Sequence, residues 1–182
     1  MALPFYTVGH STRSLVEFMD LLQSAEIGLV VDVRRLPGSR RYPHFDQERL
    51  SASLTGAGIG YEHLAALTGR RPRNREVATE VNGFWENRSF HHYADHAMTE
   101  EFAEGLARLR AWGAERRTAV MCSEAVWWRC HRRIIADHLL ARGEQVLHLM
   151  EERSTPSARL TSGAVVDPDD GQVTYPERPS DS

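Results

Sequence analysis

Leu29-Val30-Val31-Asp32-Val33 is a nearly continuous apolar run broken by one carboxylate. A run of this kind is expected of a strand buried on both faces, as in a parallel sheet covered by helices. Arg34 and Arg35 follow it, and Pro37-Gly38 then breaks the chain. Upstream, Phe5-Tyr6-Thr7-Val8 is a short β-prone stretch that stops at Gly9. Ser14-Leu15-Val16-Glu17 has the form of a capping box, and Phe18, Leu21 and Leu22 follow at helical spacing.

Downstream the same alternation continues. A helix is predicted over about 46–55 with Gly56 closing it, then a short strand over Ile59 to Tyr61. Thr99 with Glu100 and Glu101 marks a helix N-terminus, because acids suit the positive end of the helix dipole. Thr118 to Met121 reads as another buried strand. About Trp128 to Ala141 reads as a helix, and Gln145 to Leu149 as the last core strand. Strands separated by helices predict a single-domain α/β fold in three layers, with a mostly parallel, Rossmann-like central sheet. The domain is expected over 1–151. Within it, 70–98 is too long and polar for an ordinary connection and is expected as a surface excursion or a lid. Residues 152–182 are expected as an extension, with a hairpin around Asp169-Asp170-Gly171 and disorder from Pro176.

The 182 residues, with 41% hydrophobic and 26% charged side chains, suit one soluble domain. A net charge of -3 names no partner. No run is apolar enough to span a bilayer and no signal peptide is read, so a cytoplasmic location with both thiols, Cys122 and Cys130, free is expected.

Ligands of open α/β sheets bind beyond the carboxyl ends of the strands. After the first strand come Gly9, His10 and Ser11, and after the second Arg34, Arg35, Ser39, Arg40 and Arg41. Cys122, Ser123 and Glu124 follow the fourth, with Cys130, His131 and Arg132 opening the next helix. Reactive side-chain types therefore recur at one rim. Cys122, between strand and helix, is expected to have a lowered pKa and to serve as nucleophile or redox thiol. Glu124 and His131 are the candidate acid/base groups. Arg34, Arg40 and Arg132 are expected to capture an anion, with His10, Ser11, Asp32 and Ser39 as further contacts. Asp32 weighs more as a structural partner of an arginine than as a catalyst, and Cys130 as packing.

Three of these segments resemble the signatures of the DUF488 family, a family of unknown function. They are Thr7-Val8-Gly9-His10-Ser11, then Asp32-Val33-Arg34 with Pro37 and Ser39-Arg40, then Met121-Cys122-Ser123-Glu124 with Cys130-His131-Arg132. The resemblance runs from about Phe5 to Leu149 and implies the fold and the site rather than a reaction. The chain departs from the family pattern where Ala125-Val126-Trp127-Trp128 replace a stretch that often holds a proline.

Several chemistries are disfavoured. A phosphatase loop needs an arginine six positions after its cysteine, where this chain has Trp128. Neither zinc-finger spacing nor a nucleotide-binding glycine motif is present, and no metal is expected. The leading expectation is an enzyme acting on a small anionic or nucleotide-like substrate. A nucleic-acid-binding or nucleobase-processing module, resting on the arginines of 34–41 and 70–75, is the alternative, and a thiol switch using Cys122 and Cys130 is the third reading.

Overall fold

A computed structural model describes residues 2–151 and 153–177. Five parallel strands form the sheet: β1 (Phe5–Gly9), β2 (Leu29–Asp32), β3 (Gly60–His63), β4 (Thr118–Cys122) and β5 (Val146–Leu149). Their order is β3-β2-β4-β1-β5. The apolar run at Leu29 is fully buried, as a central strand must be.

Side chains alternate across the sheet, and each face collects its own core. Val30, Ala119 and Met121 join Val8 under helices α1 (Leu15–Ser24) and α2 (Gln47–Gly56). Leu29, Val31, Val120 and Cys122 face the other way, toward α4 (Glu100–Glu115) and α5 (Arg132–Ala141). The result is three layers. No helix among the described residues is long and apolar enough to cross a membrane.

Local signals act where the sequence places them. Ser14 and Glu17 close a reciprocal capping box on α1, and Thr99 caps α4. A side-chain cap of this kind is worth about 1 kcal/mol. One boundary differs: α2 retains Gly56, and the left-handed residue that ends it is Gly58, at φ +79°. The Ile59 amide then reaches back to the Leu54 carbonyl, which is the usual helix-terminating bond. The helix expected from Trp128 also begins later. Trp127–Arg129 form a single 3-10 turn, and regular α-helix starts only at Arg132.

The 70–98 segment carries a helix that periodicity did not reveal, α3 (Arg88–His96), capped by the Asn87 side chain. Beyond β5, β6 (Val165–Val166) pairs antiparallel with β7 (Val173–Thr174), and Asp169-Asp170-Gly171 lie in the connection between them. The extension is part of the core. Val173 and Tyr175 are fully buried, and the Tyr175 hydroxyl donates to Asp137 on α5 at 2.7 Å. Of the terminal stretch expected to be disordered, only Pro176 and Glu177 lie within the described residues.

β1 and β4 are neighbours, yet β1 leads to α1 on one face and β4 to α5 on the other. Diverging connections leave a crevice beyond the strand ends, the place where such sheets bind ligands.

Candidate functional site

A cavity of about 830 Å³ opens at that crevice. Its wall takes His10, Ser11 and Thr12 from the end of β1, Arg34 to Leu36 from the end of β2, and Cys122 to Ala125 from the end of β4. Cys130 and His131 close the floor before α5, and Asn87, Ser89, Phe90 and Tyr93 come from α3 and its cap. Backbone pairing continues past the strands, with the His10 amide donating to the Cys122 carbonyl at 3.0 Å and the Ser11 amide to Ser123 at 3.1 Å. Gly9 is where these loops touch: a Cβ there would collide with the Glu124 carbonyl oxygen. Two non-glycine residues of the wall hold left-handed backbone, Ser11 at φ 49° and Arg70 at φ 58°. Such strain persists only where the surroundings impose it.

The two sulfurs meet. Cys130 Sγ lies 2.6 Å from Cys122 Sγ, both residues being buried and free of a disulfide. Cys130 Sγ is also 3.4 Å from His131 Nδ1. His131 Nε2 is 3.0 Å from the Val33 carbonyl, and a carbonyl only accepts, so Nε2 carries the hydrogen and Nδ1 is left to serve the thiol. The Arg132 amide adds a 3.5 Å contact to the same sulfur at the start of α5. Burial opposes ionisation at both thiols. At Cys130 it is overcome by the hydrogen bond with Cys122 and by the positive charge of His131 and Arg132, which hold this thiol well below its usual range. Burial and the neighbouring Cys130 push Cys122 well above it, opposite to the lowering expected from its place between strand and helix. The charge of the pair therefore rests on Cys130.

Beneath them lies Arg132, with no exposed surface. Its Nη2 donates to the Glu124 carbonyl at 2.8 Å and Nη1 to Thr7 Oγ1 at 3.3 Å, while Nε has no partner. Among the described residues this guanidinium pairs with no carboxylate. The Thr7 hydroxyl passes its own hydrogen to His148 Nδ1 at 2.6 Å. Burial, then the Arg132 charge, lowers the His148 pKa to about 4, so this ring stays neutral. A buried cation needs a counter-charge, and burial works against this guanidinium while the neighbouring Cys122 and Cys130 favour its charge.

Arg34 lines the cavity and is held there by Asp32. Its Nε donates to both Asp32 oxygens at 3.0 and 3.2 Å, and its Nη2 donates to Asp32 Oδ2 at 2.8 Å. Tyr61 donates to the same carboxylate, and Arg34 Nη1 to the Phe45 carbonyl at 2.8 Å. Asp32, fully buried, does not reach the cavity wall, because it alternates onto the α1/α2 face while Cys122 takes the other. His10 donates from Nδ1 to the Ser11 carbonyl at 3.0 Å and turns Nε2 toward Arg34 at 3.4 Å. Burial lowers its pKa to about 4, with Arg34 contributing, so it is a neutral wall group.

Of the other expected contacts, Ser39 lines the cavity and accepts from the Tyr42 amide at 3.1 Å, whereas Arg40 is exposed outside it. Glu124 lies exposed on the wall, and its carboxylate makes no hydrogen bond or ion pair with the described residues. Besides the buried Arg34, the arginines that line the cavity are Arg35, Arg70 and Arg129, all exposed. Arg35 donates to the Arg70 carbonyl at 3.0 Å, which fixes the two loops together. Arg71, from the second basic stretch, turns inward to Thr68, Ala65 and Glu101. Among the described residues no three His, Cys, Asp or Glu side chains are grouped to hold a metal ion.

Cys130, expected as packing or as the partner of Cys122 in a thiol switch, meets both Cys122 and His131, and the 70–98 segment, expected as a surface excursion or a lid, supplies part of the wall through α3. The signal for Cys130 was present in its adjacency to His131. For α3 the signal was Asn87, a capping residue two positions before the Ser89 amide that it receives.

The family described as "Domain of unknown function DUF488" matches residues 14–139, a span that includes the loops after β2 and β4 and the start of α5. The chain belongs to this family. No curated protein and no solved structure matches it. The DUF488 match ends inside α5, so β5 and the hairpin lie beyond it.

Proposed function

We propose that this DUF488 protein is an enzyme that uses the Cys130 thiolate against a small anionic or nucleotide-like substrate. The observation that carries this reading is the relay Cys130–His131–Val33 carbonyl on the floor of an arginine-rimmed cavity. A thiol, a ring nitrogen within reach and a third group that fixes the ring form the general pattern of an activated nucleophile. His131 Nδ1 takes the thiol proton and is placed to return it to a leaving group. Arg35, Arg70 and Arg129 hold the anion, and Phe90 offers ring surface to an attached base or chain. Glu124 stands at the rim for a second proton transfer or for an amine. Cys122 is the neighbour that shares its proton with the nucleophile.

The test combines labelling and turnover. Iodoacetamide labelling followed by mass spectrometry is expected to modify Cys130 first, at a rate that levels off well below the pH of an ordinary thiol. Phosphorylated and carboxylated small molecules, nucleotides included, are expected to protect it. For any member of that panel that is turned over, Cys130→Ala is expected to lower the rate roughly a thousandfold. Anions that neither protect the thiol nor suffer in rate from Cys130→Ala remove the proposal.

A further inference from the structure

We propose that Cys122 and Cys130 form a reversible dithiol–disulfide couple that exchanges with small anionic disulfides, and that the buried Arg132 poises this couple toward the dithiol. The inference rests on the proposed anion-binding mouth but adds a two-electron chemistry which a plain nucleophile does not need.

Three features of the floor carry it. The sulfurs are 2.6 Å apart, and the loops that carry them are tied by the Arg132 side chain, which donates to the Glu124 carbonyl at 2.8 Å. Closing a disulfide needs little movement from there. Cys122 and Cys130 both line the cavity, at 3% and 6% exposure, so the route for a small disulfide runs past Arg35, Arg70 and Arg129 to this pair. Anionic disulfides are favoured over cationic ones by that rim.

The exchange balances as follows. The Cys130 thiolate attacks one sulfur of R–S–S–R, forming a mixed disulfide and expelling RS⁻. The Cys122 sulfur, giving up its proton, then attacks the Cys130 sulfur, forms the internal disulfide and expels the second RS⁻. One proton from Cys122 and one from solvent leave both products as RSH. The protein is oxidised by two electrons and R–S–S–R is reduced by two.

Arg132 sets the direction. In the dithiol state a thiolate sits beside a guanidinium with no carboxylate partner and an unpartnered Nε. In the disulfide state both sulfurs are neutral, and among the described residues the guanidinium keeps the Thr7 hydroxyl and the Glu124 carbonyl as its hydrogen-bond acceptors. Losing the counter-charge of a buried cation is unfavourable, so the disulfide is readily reduced. A couple whose reduced form is specifically stabilised is an oxidising couple.

The full chain is equilibrated in buffers of reduced and oxidised glutathione, quenched in acid, and read by mass spectrometry. Expected is one internal Cys122–Cys130 disulfide, with the pair still reduced at ratios that leave ordinary structural disulfides closed. Oxidised glutathione is expected to react at least about tenfold faster than cystamine, a dication, with the difference lost in about 1 M salt. Arg132→Met is expected to move the midpoint at least about tenfold toward the disulfide, whereas Arg132→Lys, which keeps the charge, stays near wild type. Adducts that never close to an internal disulfide overturn the couple. Equal rates for the two probes overturn its selectivity. A wild-type midpoint as reducing as a structural disulfide overturns the poise even if Arg132→Met fails to fold. Closure without turnover of any anionic substrate leaves the couple standing and removes the proposed enzyme; turnover without closure does the reverse.

Discussion

Two buried arginines follow the adjacent strands β2 and β4, and they have opposite surroundings. Arg34, after β2, closes a three-contact fork on Asp32, whose carboxylate also accepts from Tyr61. Arg132, at the start of the helix after β4, has carbonyl, hydroxyl and sulfur around it and no carboxylate. The first is a finished structural unit, neutral as a pair. The second is a positive charge held beneath two thiols, the pair proposed above to react. Residue type does not separate the two; what does is whether the counter-charge is a fixed carboxylate or a group that can react.

The sharpest way to break this contrast is Asp32→Ala. It leaves the Arg34 charge buried beside an unpaired Tyr61 hydroxyl, and losing one partner of a buried pair costs about 3–5 kcal/mol. Urea unfolding near neutral pH is expected to show a loss of that size. A loss under about 0.5 kcal/mol, the range of ordinary surface changes, would mean that Arg34 is free to act as a ligand-binding group after all.

Acid supplies the next test, because each of these arginines keeps a neutral histidine beside it. Burial, with the arginine's help, lowers His10 and His148 to about 4, and burial lowers His138 on α5 to about 3. Unfolded histidines titrate near 6.5. Between about pH 6.5 and 4 the unfolded chain therefore binds protons that the folded chain refuses, and stability falls as pH falls. With three such groups the slope is expected to approach about 4 kcal/mol per pH unit at its steepest. Urea midpoints from pH 8 to 4.5 measure it; a flat profile across that window would show that these rings are protonated in the fold and that the two arginines do not keep them neutral.

The strands and the rim were legible because they rest on local rules. An apolar run such as Leu29 to Val33 must be buried on both faces, and strand ends are where an α/β sheet presents side chains. The pairing of Asp32 with an arginine was legible too, since a carboxylate among valines requires a partner. What was not legible is which arginine it would take, because that depends on which face each residue occupies once the strand has twisted. Arg34 and Arg132 looked equivalent in sequence and are not. α3 was hidden for a related reason: its inward face carries Tyr93, Asp95 and His96, polar side chains satisfied by Leu67, Asn82 and Ala66. A hydrophobic period cannot show a face built from hydrogen bonds. For Cys130 the sequence leaves packing and a thiol switch with Cys122 both open, because the contact with Cys122, eight residues earlier, and with the His131 ring that the Val33 carbonyl orients exists only in the fold.

The smallest expected effect separates the arginines that line the mouth from those that merely neighbour it. Arg35 and Arg70 belong to the wall, while Arg40 and Arg41 are exposed outside it, with Arg41 over the Tyr42 ring at 5.6 Å. Replacing any of the four with alanine is expected to change stability by no more than about 0.5 kcal/mol, as at most surface positions. Binding of an anion that protects Cys130 should nevertheless divide them. Arg35→Ala and Arg70→Ala are each expected to weaken it about tenfold, since a charge-assisted hydrogen bond is worth roughly 1.5–3 kcal/mol and water recovers part of that. Arg40→Ala and Arg41→Ala are expected to leave it within about twofold, because exposed charges beyond the contact are screened by salt. Calorimetric titration at fixed ionic strength reads the difference. If all four variants lost affinity equally, the attraction would come from the summed field of a basic surface, which is how a nucleic acid is held, and the floor built around Arg132 would have to be explained without an anion above it.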